Sequence, residues 1–157
     1  MIELVLLVNR QGKVRLSKWY KPEKRKDKLR IVREIGTAVI KREKQKLCNF
    51  LEWKDKLIVF KRYASLFFVG VIERKDNELL MLEVIHHYVE TLDGYFGNVC
   101  ELDIIFNFHK AYFILDELII AGQLQETSKR KIIQACHAQD LQMEEGKDGK
   151  KDDKKGI

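Results

Sequence analysis

A chain of 157 residues with 45% hydrophobic and 34% charged side chains has the composition of one globular domain, long enough to hide roughly 68–70% of its unfolded surface. A net charge of +6 permits acidic partners without requiring one. The longest apolar runs, residues 4–8 and 66–72, fall far short of the roughly 18–20 residues that span a bilayer, and the first residues lack the basic cap and small-residue cleavage site of a secretory signal. Three widely spaced cysteines, Cys48, Cys100 and Cys136, fit free and mostly packed thiols in a reducing compartment.

The charge is concentrated. Residues 10–46 carry 15 basic and 4 acidic side chains, whereas residues 47–143 carry 10 basic and 14 acidic, so the basic character belongs to one segment. Residues 1–8 are apolar at nearly every position, which predicts a strand buried on both faces. Asn9-Arg10-Gln11-Gly12 signals a turn, and the alternation over residues 13–20 predicts the second strand of a hairpin. After Pro22, Leu29, Val32, Ile35 and Val39 recur at helical spacing, with Lys24, Lys28, Arg33 and Lys41 on other faces: one core face and one basic face. Phe50–Trp53, residues 57–60 and residues 66–72, separated by Lys54-Asp55 and Ala64-Ser65, read as a three-stranded meander.

Asp76 or Asn77 caps a second long helix. Leu82, Ile85, Val89, Leu92 and Phe96 form one apolar stripe on it, and Met81, Val84, Tyr88 and Tyr95 a second; one should pack on the sheet and the other meet something else. Gly97 is its expected stop. Asn98 to Glu101 has the spacing of a capping box and should open a third helix running to Ile120 and ending at Gly122. Thr127 or Ser128 should cap a last helix over about residues 128–141, and the Lys-, Asp- and Gly-rich residues 144–157 read as a disordered tail. The element order predicts an α/β (α+β) domain over residues 1–143: a five-stranded antiparallel sheet flanked by helices.

Chemistry for an enzyme is not legible. No phosphate-cradling glycine loop exists. His86 and His87 are adjacent on a helix and point about 100° apart, while His109 and His137 lack ligand spacing, so no metal or other cofactor is expected. Cys100 stands near a helix start but has no base beside it and reads as a packed thiol. Lys21, Lys24, Arg25, Lys26, Lys28 and Arg30 are dense enough for phosphate contacts but lack interleaved aromatics; a solvated face is the plain reading, a protein- or membrane-facing surface the next, and nucleic acid the last.

Several ordered stretches carry more. Asn9-Arg10-Gln11-Gly12-Lys13-Val14-Arg15-Leu16-Ser17-Lys18-Trp19-Tyr20, Lys61-Arg62-Tyr63-Ala64-Ser65-Leu66, Asp76-Asn77-Glu78-Leu79, Tyr95-Phe96-Gly97-Asn98-Val99-Cys100-Glu101-Leu102-Asp103, Phe106-Asn107-Phe108-His109-Lys110-Ala111-Tyr112 and Gln125-Glu126-Thr127-Ser128-Lys129 together resemble the small (sigma) chain of the heterotetrameric clathrin adaptors, over about residues 1–141. Tyr63-Ala64-Ser65-Leu66 and Lys110-Ala111-Tyr112 are more similar to the trans-Golgi and endosomal type than to the plasma-membrane type. The resemblance implies a longin-like fold and a non-enzymatic subunit on the cytosolic face of trans-Golgi and endosomal membranes and clathrin-coated vesicles. Its implied partners are a large adaptin chain, with a medium chain and a second large chain. Its implied ligand is a cargo tail carrying an acidic dileucine signal. The positions that match the family's leucine pocket are Ala64, Leu66, Val89, Asn98, Val99 and Ile104, with Arg15 beside them for the acidic residue. On that basis Val99→Asp would abolish signal binding and leave assembly intact. The sequence departs from the family at Phe67, at Val69-Gly70 and at Gly94, a helical glycine expected to weaken its helix by about 1 kcal/mol relative to Ala. A longin-type subunit of another coat or tether and a nucleic-acid-binding module are the alternatives.

Overall fold

The structure is a computed structural model and describes residues 1–45, 49–120, 122–124 and 129–155. Five strands form an antiparallel sheet in the order β2-β1-β5-β4-β3: β1 Ile2–Asn9, β2 Val14–Trp19, β3 Phe50–Trp53, β4 Lys56–Tyr63 and β5 Leu66–Glu73. This is the expected sheet, with β1 and β5 as its central pair. Both strands are buried almost throughout, because each has a neighbour on either side and helices above and below.

Two cores result. Leu4, Leu6 and Val8 of β1 join Phe67, Val69 and Val71 of β5 under helix α1, Arg25–Lys44, which contributes Val32, Ile35 and Val39. Ile2, Val5 and Leu7, with Leu66, Phe68 and Ile72, face the other way under helix α2, Glu78–Phe96. Ile2 and Val5 share a face although three residues apart because the β1–β5 register shifts between Ile2 and Leu4. That irregularity accommodates Glu3, buried and paired with Lys56 at 2.8 Å. Each fully buried aliphatic side chain contributes roughly 1.5–3 kcal/mol.

The structure departs from the sequence pattern at several points. Leu29, expected in the core, is 62% exposed: α1 meets the core only from Ile31 onward, and Leu29 rides on the rim of a groove beside β2. The helix expected to run from Asn98 to Ile120 is two: α3, Glu101–Phe106, and α4, Phe108–Leu118, broken at Asn107, where φ is −128° and ψ 39°. The cap is Cys100, two residues later than expected. Its backbone N–H donates to Asp103 Oδ2 at 2.9 Å, and Cys100 is exposed rather than packed. Ile119–Ile120 is not helical but pairs with Gln123–Leu124 as the strands β6 and β7. Gly122, at φ 76°, approaches β1 so closely that the Ile2 N–H donates to its carbonyl at 3.0 Å; a Cβ there would sit 2.7 Å from the Ile2 carbonyl oxygen.

The second apolar stripe of α2 is satisfied within the chain. Tyr88 packs edge-on against Phe68 and donates to the Ala111 carbonyl of α4 at 2.8 Å, while Tyr95 donates to Asp140 of the last helix, α5 (Lys129–Lys155), at 2.6 Å. Lys110 closes the same triangle with Asp140 at 2.6 Å. Gly94 serves this packing: a Cβ on it would lie 2.7 Å from Lys129 Cε and 2.9 Å from Ile133 Cδ1. Helix α5 extends past Met143 to Lys155, through Gly146 and Gly149, which oppose helix formation by about 1 kcal/mol each. Cys48 and the expected caps Thr127 and Ser128 lie outside the described residues.

Candidate functional site

The seven candidate residues come from four separate places in the chain and are brought to one end of the sheet. Ala64 occupies the β4–β5 turn at φ 53°, and Leu66 opens β5. Val89 lies on α2, Asn98 and Val99 on the loop after it, and Ile104 on α3. Leu66, Val89, Val99 and Ile104 belong to one buried cluster and are 0–7% exposed; Ala64 and Asn98 are exposed above them. The site is thus a rim of two small or polar residues over a floor that is already part of the core.

Asp93, which the sequence reading passed over, holds the two sides of the rim together. Its Oδ1 accepts the Tyr63 hydroxyl at 2.9 Å and the Val99 backbone N–H at 3.0 Å, tying the β4–β5 turn to the α2–α3 loop. This hydrogen bond also pushes the Tyr63 phenol up, so it stays a donor. The loop reverses direction at Gly97 and Asn98, at φ 67° and 61°, a conformation that glycine and asparagine adopt most readily.

Arg15 is not free. Its Nε donates to Glu101 Oε1 at 2.7 Å, and the same oxygen accepts from Asn9 Nδ2 at 3.0 Å. Asn9 in turn clamps the hairpin turn, its Oδ1 accepting the N–H groups of Gln11 at 3.0 Å and Lys13 at 2.9 Å. Tyr112 of α4 bolts β2 in place, accepting from the Ser17 N–H at 3.1 Å and donating to its carbonyl at 2.8 Å. The donors from Asn9 and Arg15 hold the Glu101 carboxyl below the ordinary carboxylate range. Its stabilising effect is therefore complete above about pH 4.5 and is lost as the pH falls through the depressed value. We expect the stability difference between the native chain and Glu101→Gln to be constant above about pH 5 and to close below about pH 4, read from urea midpoints across that range; a constant difference down to pH 3 would contradict it.

Glu101 and Asp93 were open to sequence reasoning only as a first-turn acid and a helical acid. The separations of their partners, 92 and 86 residues for Asn9 and Arg15 and 30 for Tyr63, leave no local signal.

An antiparallel sheet with one helix on one face and several on the other is the longin-like arrangement. The family model of the clathrin adaptor complex small chain matches residues 1–143. The chain is 63% identical over 142 residues to the AP-1 complex subunit sigma-2 of Dictyostelium discoideum, covering 90% of this chain and 92% of that one. It is 57% identical over 148 residues to the AP-1 complex subunit sigma-2 of Arabidopsis thaliana (94% and 91% covered), and 55% identical over 145 residues to the human AP-1 complex subunit sigma-1A (92% and 91% covered). Among solved structures it is similar to a chain of a homology model of the full-length AP-3 complex in a stretched open conformation, with TM-score 0.73, 26% identity, and 95% and 99% of the two chains covered. The chain belongs to the clathrin adaptor complex small-chain family, whose members are adaptor subunits rather than enzymes.

Proposed function

We propose that the chain is the small subunit of an AP-1-type adaptor complex. It assembles with a large adaptin chain, a medium chain and a second large chain, and acts on the cytosolic face of trans-Golgi and endosomal membranes and clathrin-coated vesicles. The likeness to AP-1 sigma subunits over more than nine-tenths of their length supports the assignment. The second stripe of α2 does not, since it is consumed inside the fold. Support for a partner comes instead from the α3–α4 break, where Leu102, Phe106 and Phe108 are exposed, Phe106 by 76%; a large apolar patch on a soluble subunit is ordinarily covered. Affinity purification from its cells should recover a large adaptin and a medium chain, and recovery of neither would sink the assignment.

In this reading the subunit also receives acidic dileucine signals at the site described, and the observation that carries it is the convergence of Ala64, Asn98, Arg15 and the four-residue apolar floor. Burial of two leucines would contribute roughly 1.5–3 kcal/mol each before association costs, while an acidic residue that shares Arg15 with Glu101 adds about 0–1 kcal/mol. The floor is closed, so leucines enter by parting the β4–β5 turn from the α2–α3 loop. Ala64→Asp is the clean test. The position is exposed, and aspartate tolerates its positive φ, so the fold is preserved. A carboxylate on the rim should weaken binding of a labelled acidic dileucine peptide to the assembled complex at least tenfold, with assembly unchanged. Native affinity in that variant refutes the site.

A further inference from the structure

The basic segment that dominates the charge of the chain is absorbed neither by the core nor by the candidate site. Each acid of α1 is already taken: Asp27 by Arg30 at 3.4 Å, Glu34 by Lys54 at 4.0 Å and Glu43 by Arg62 at 3.0 Å. Arg33, Lys41 and Lys44 on the outer face of α1, and Arg10 in the hairpin turn, are exposed and form no ion pair among the described residues. These four line one groove of about 560 Å³ between the turn and the helix, with Gln11 and the Thr37 hydroxyl among them. Gly12 and Ile40 line the same groove, the glycine at φ 86° in the left-handed region that its turn requires.

A second groove of about 530 Å³ continues past Gly12 and Arg33, adding Arg25, Lys28 and the exposed Leu29. Four cations converging on one concave surface without counter-charge focus a positive potential there. That geometry suits a compact anion carrying several charges better than a flat array of single ones. A nucleic-acid strand would require successive aromatic platforms; the four-cation groove has none, and the second has Trp19, with the Lys28 ammonium already over its ring at 5.6 Å. An acidic peptide would require apolar anchor pockets among the four cations; most of the apolar lining, Val14, Trp19 and Val32, lies instead in the second groove, where Leu29 is raised at the rim among cations as at a lipid interface.

We propose that this groove receives the polyvalent phosphate headgroup of an anionic membrane lipid, so that the small chain itself touches the bilayer. Continuity with the candidate site supports this. The hairpin that carries Arg10 also carries Arg15, and Asn9 links its turn to Glu101, so the two sites share one braced hairpin. A tail held at one site emerges from the membrane held at the other; this continuity rests on the signal-binding reading, but the test does not use a signal peptide.

The test is flotation of the assembled complex with vesicles of phosphatidylcholine containing either a phosphatidylinositol phosphate or phosphatidylserine at matched charge. Arg33→Glu/Lys41→Glu should weaken binding to the phosphatidylinositol phosphate vesicles at least tenfold, since each basic side chain near an anionic surface carries about a fivefold share of affinity. Arg33→Gln/Lys41→Gln should fall between the native complex and the glutamate variant, and both variants should lose clearly less on phosphatidylserine vesicles, whose single charges attract the surface without filling the groove. Soluble inositol phosphate should displace the native complex from the vesicles. Unchanged binding, equal loss on both vesicle types, or failure of the glutamine variant to enter the complex would each overturn the proposal, the last by making the groove a protein interface. So would displacement by an acidic peptide or an oligonucleotide where inositol phosphate has no effect.

Discussion

Val99→Asp should unfold the small chain rather than act on the candidate site alone. Val99 is 2% exposed, and its N–H already points at the Asp93 carboxylate, 3.0 Å away. A second carboxylate there is buried without a cation and beside a like charge. Leaving such a charge unpaired costs about 3–5 kcal/mol, against a total stability of about 5–15 kcal/mol for a domain. The expected result is a large drop in urea midpoint and loss of the variant from the co-expressed complex. A Val99→Asp chain that melts like the native one and still assembles would show the floor to be open surface. The sequence reading, which treated Val99 as a pocket wall, expected that outcome; its burial argues against it.

Gly70→Ala is the second large effect. The glycine sits mid-strand in β5, paired with Val5 on one side and Val59 on the other, so its backbone cannot retreat. A Cβ would fall 2.1 Å from Met81 Cε, 3.0 Å from its Sδ and 3.1 Å from its Cγ. The far methyl can swing away, but the Cγ is held by α2, and Met81 is buried. Overpacking of this kind costs about 1–3 kcal/mol, or roughly 2–12 °C in Tm for a chain of this size. Met81→Ala in the same chain should recover part of the loss. Additive effects of the two substitutions would mean that the clash is not the cause.

The strands were legible because their alternation and turns are local. Residues 1–8 read as doubly buried, and the turns at Lys54-Asp55 and Ala64-Ser65 fall where the structure has them. Helix α2, with its Asn77 cap and Gly97 stop, was legible for the same reason. What failed depended on where elements land. Leu29 keeps the helical period of Val32 and Ile35 yet overhangs a groove, and Asn107 breaks a stretch whose apolar pattern runs on. The candidate site came from resemblance, since Leu66, Val89, Val99 and Ile104 have the pattern of ordinary core and indeed lie in it. Glu101 and Asp93 were out of reach because their significance rests on contacts across tens of residues.

The order of strands has a consequence for synthesis. β1 is made before the other strands and lies inside the sheet, but its inner partner β5 begins only at Leu66. At roughly 5–20 residues per second, the intervening residues 10–65 take about 3–11 s to emerge. Until then the β1–β2 hairpin carries two apolar faces and an unpaired edge, the combination that invites association with other chains. Neither core can close before that strand arrives, so the nascent chain depends on being shielded for those seconds.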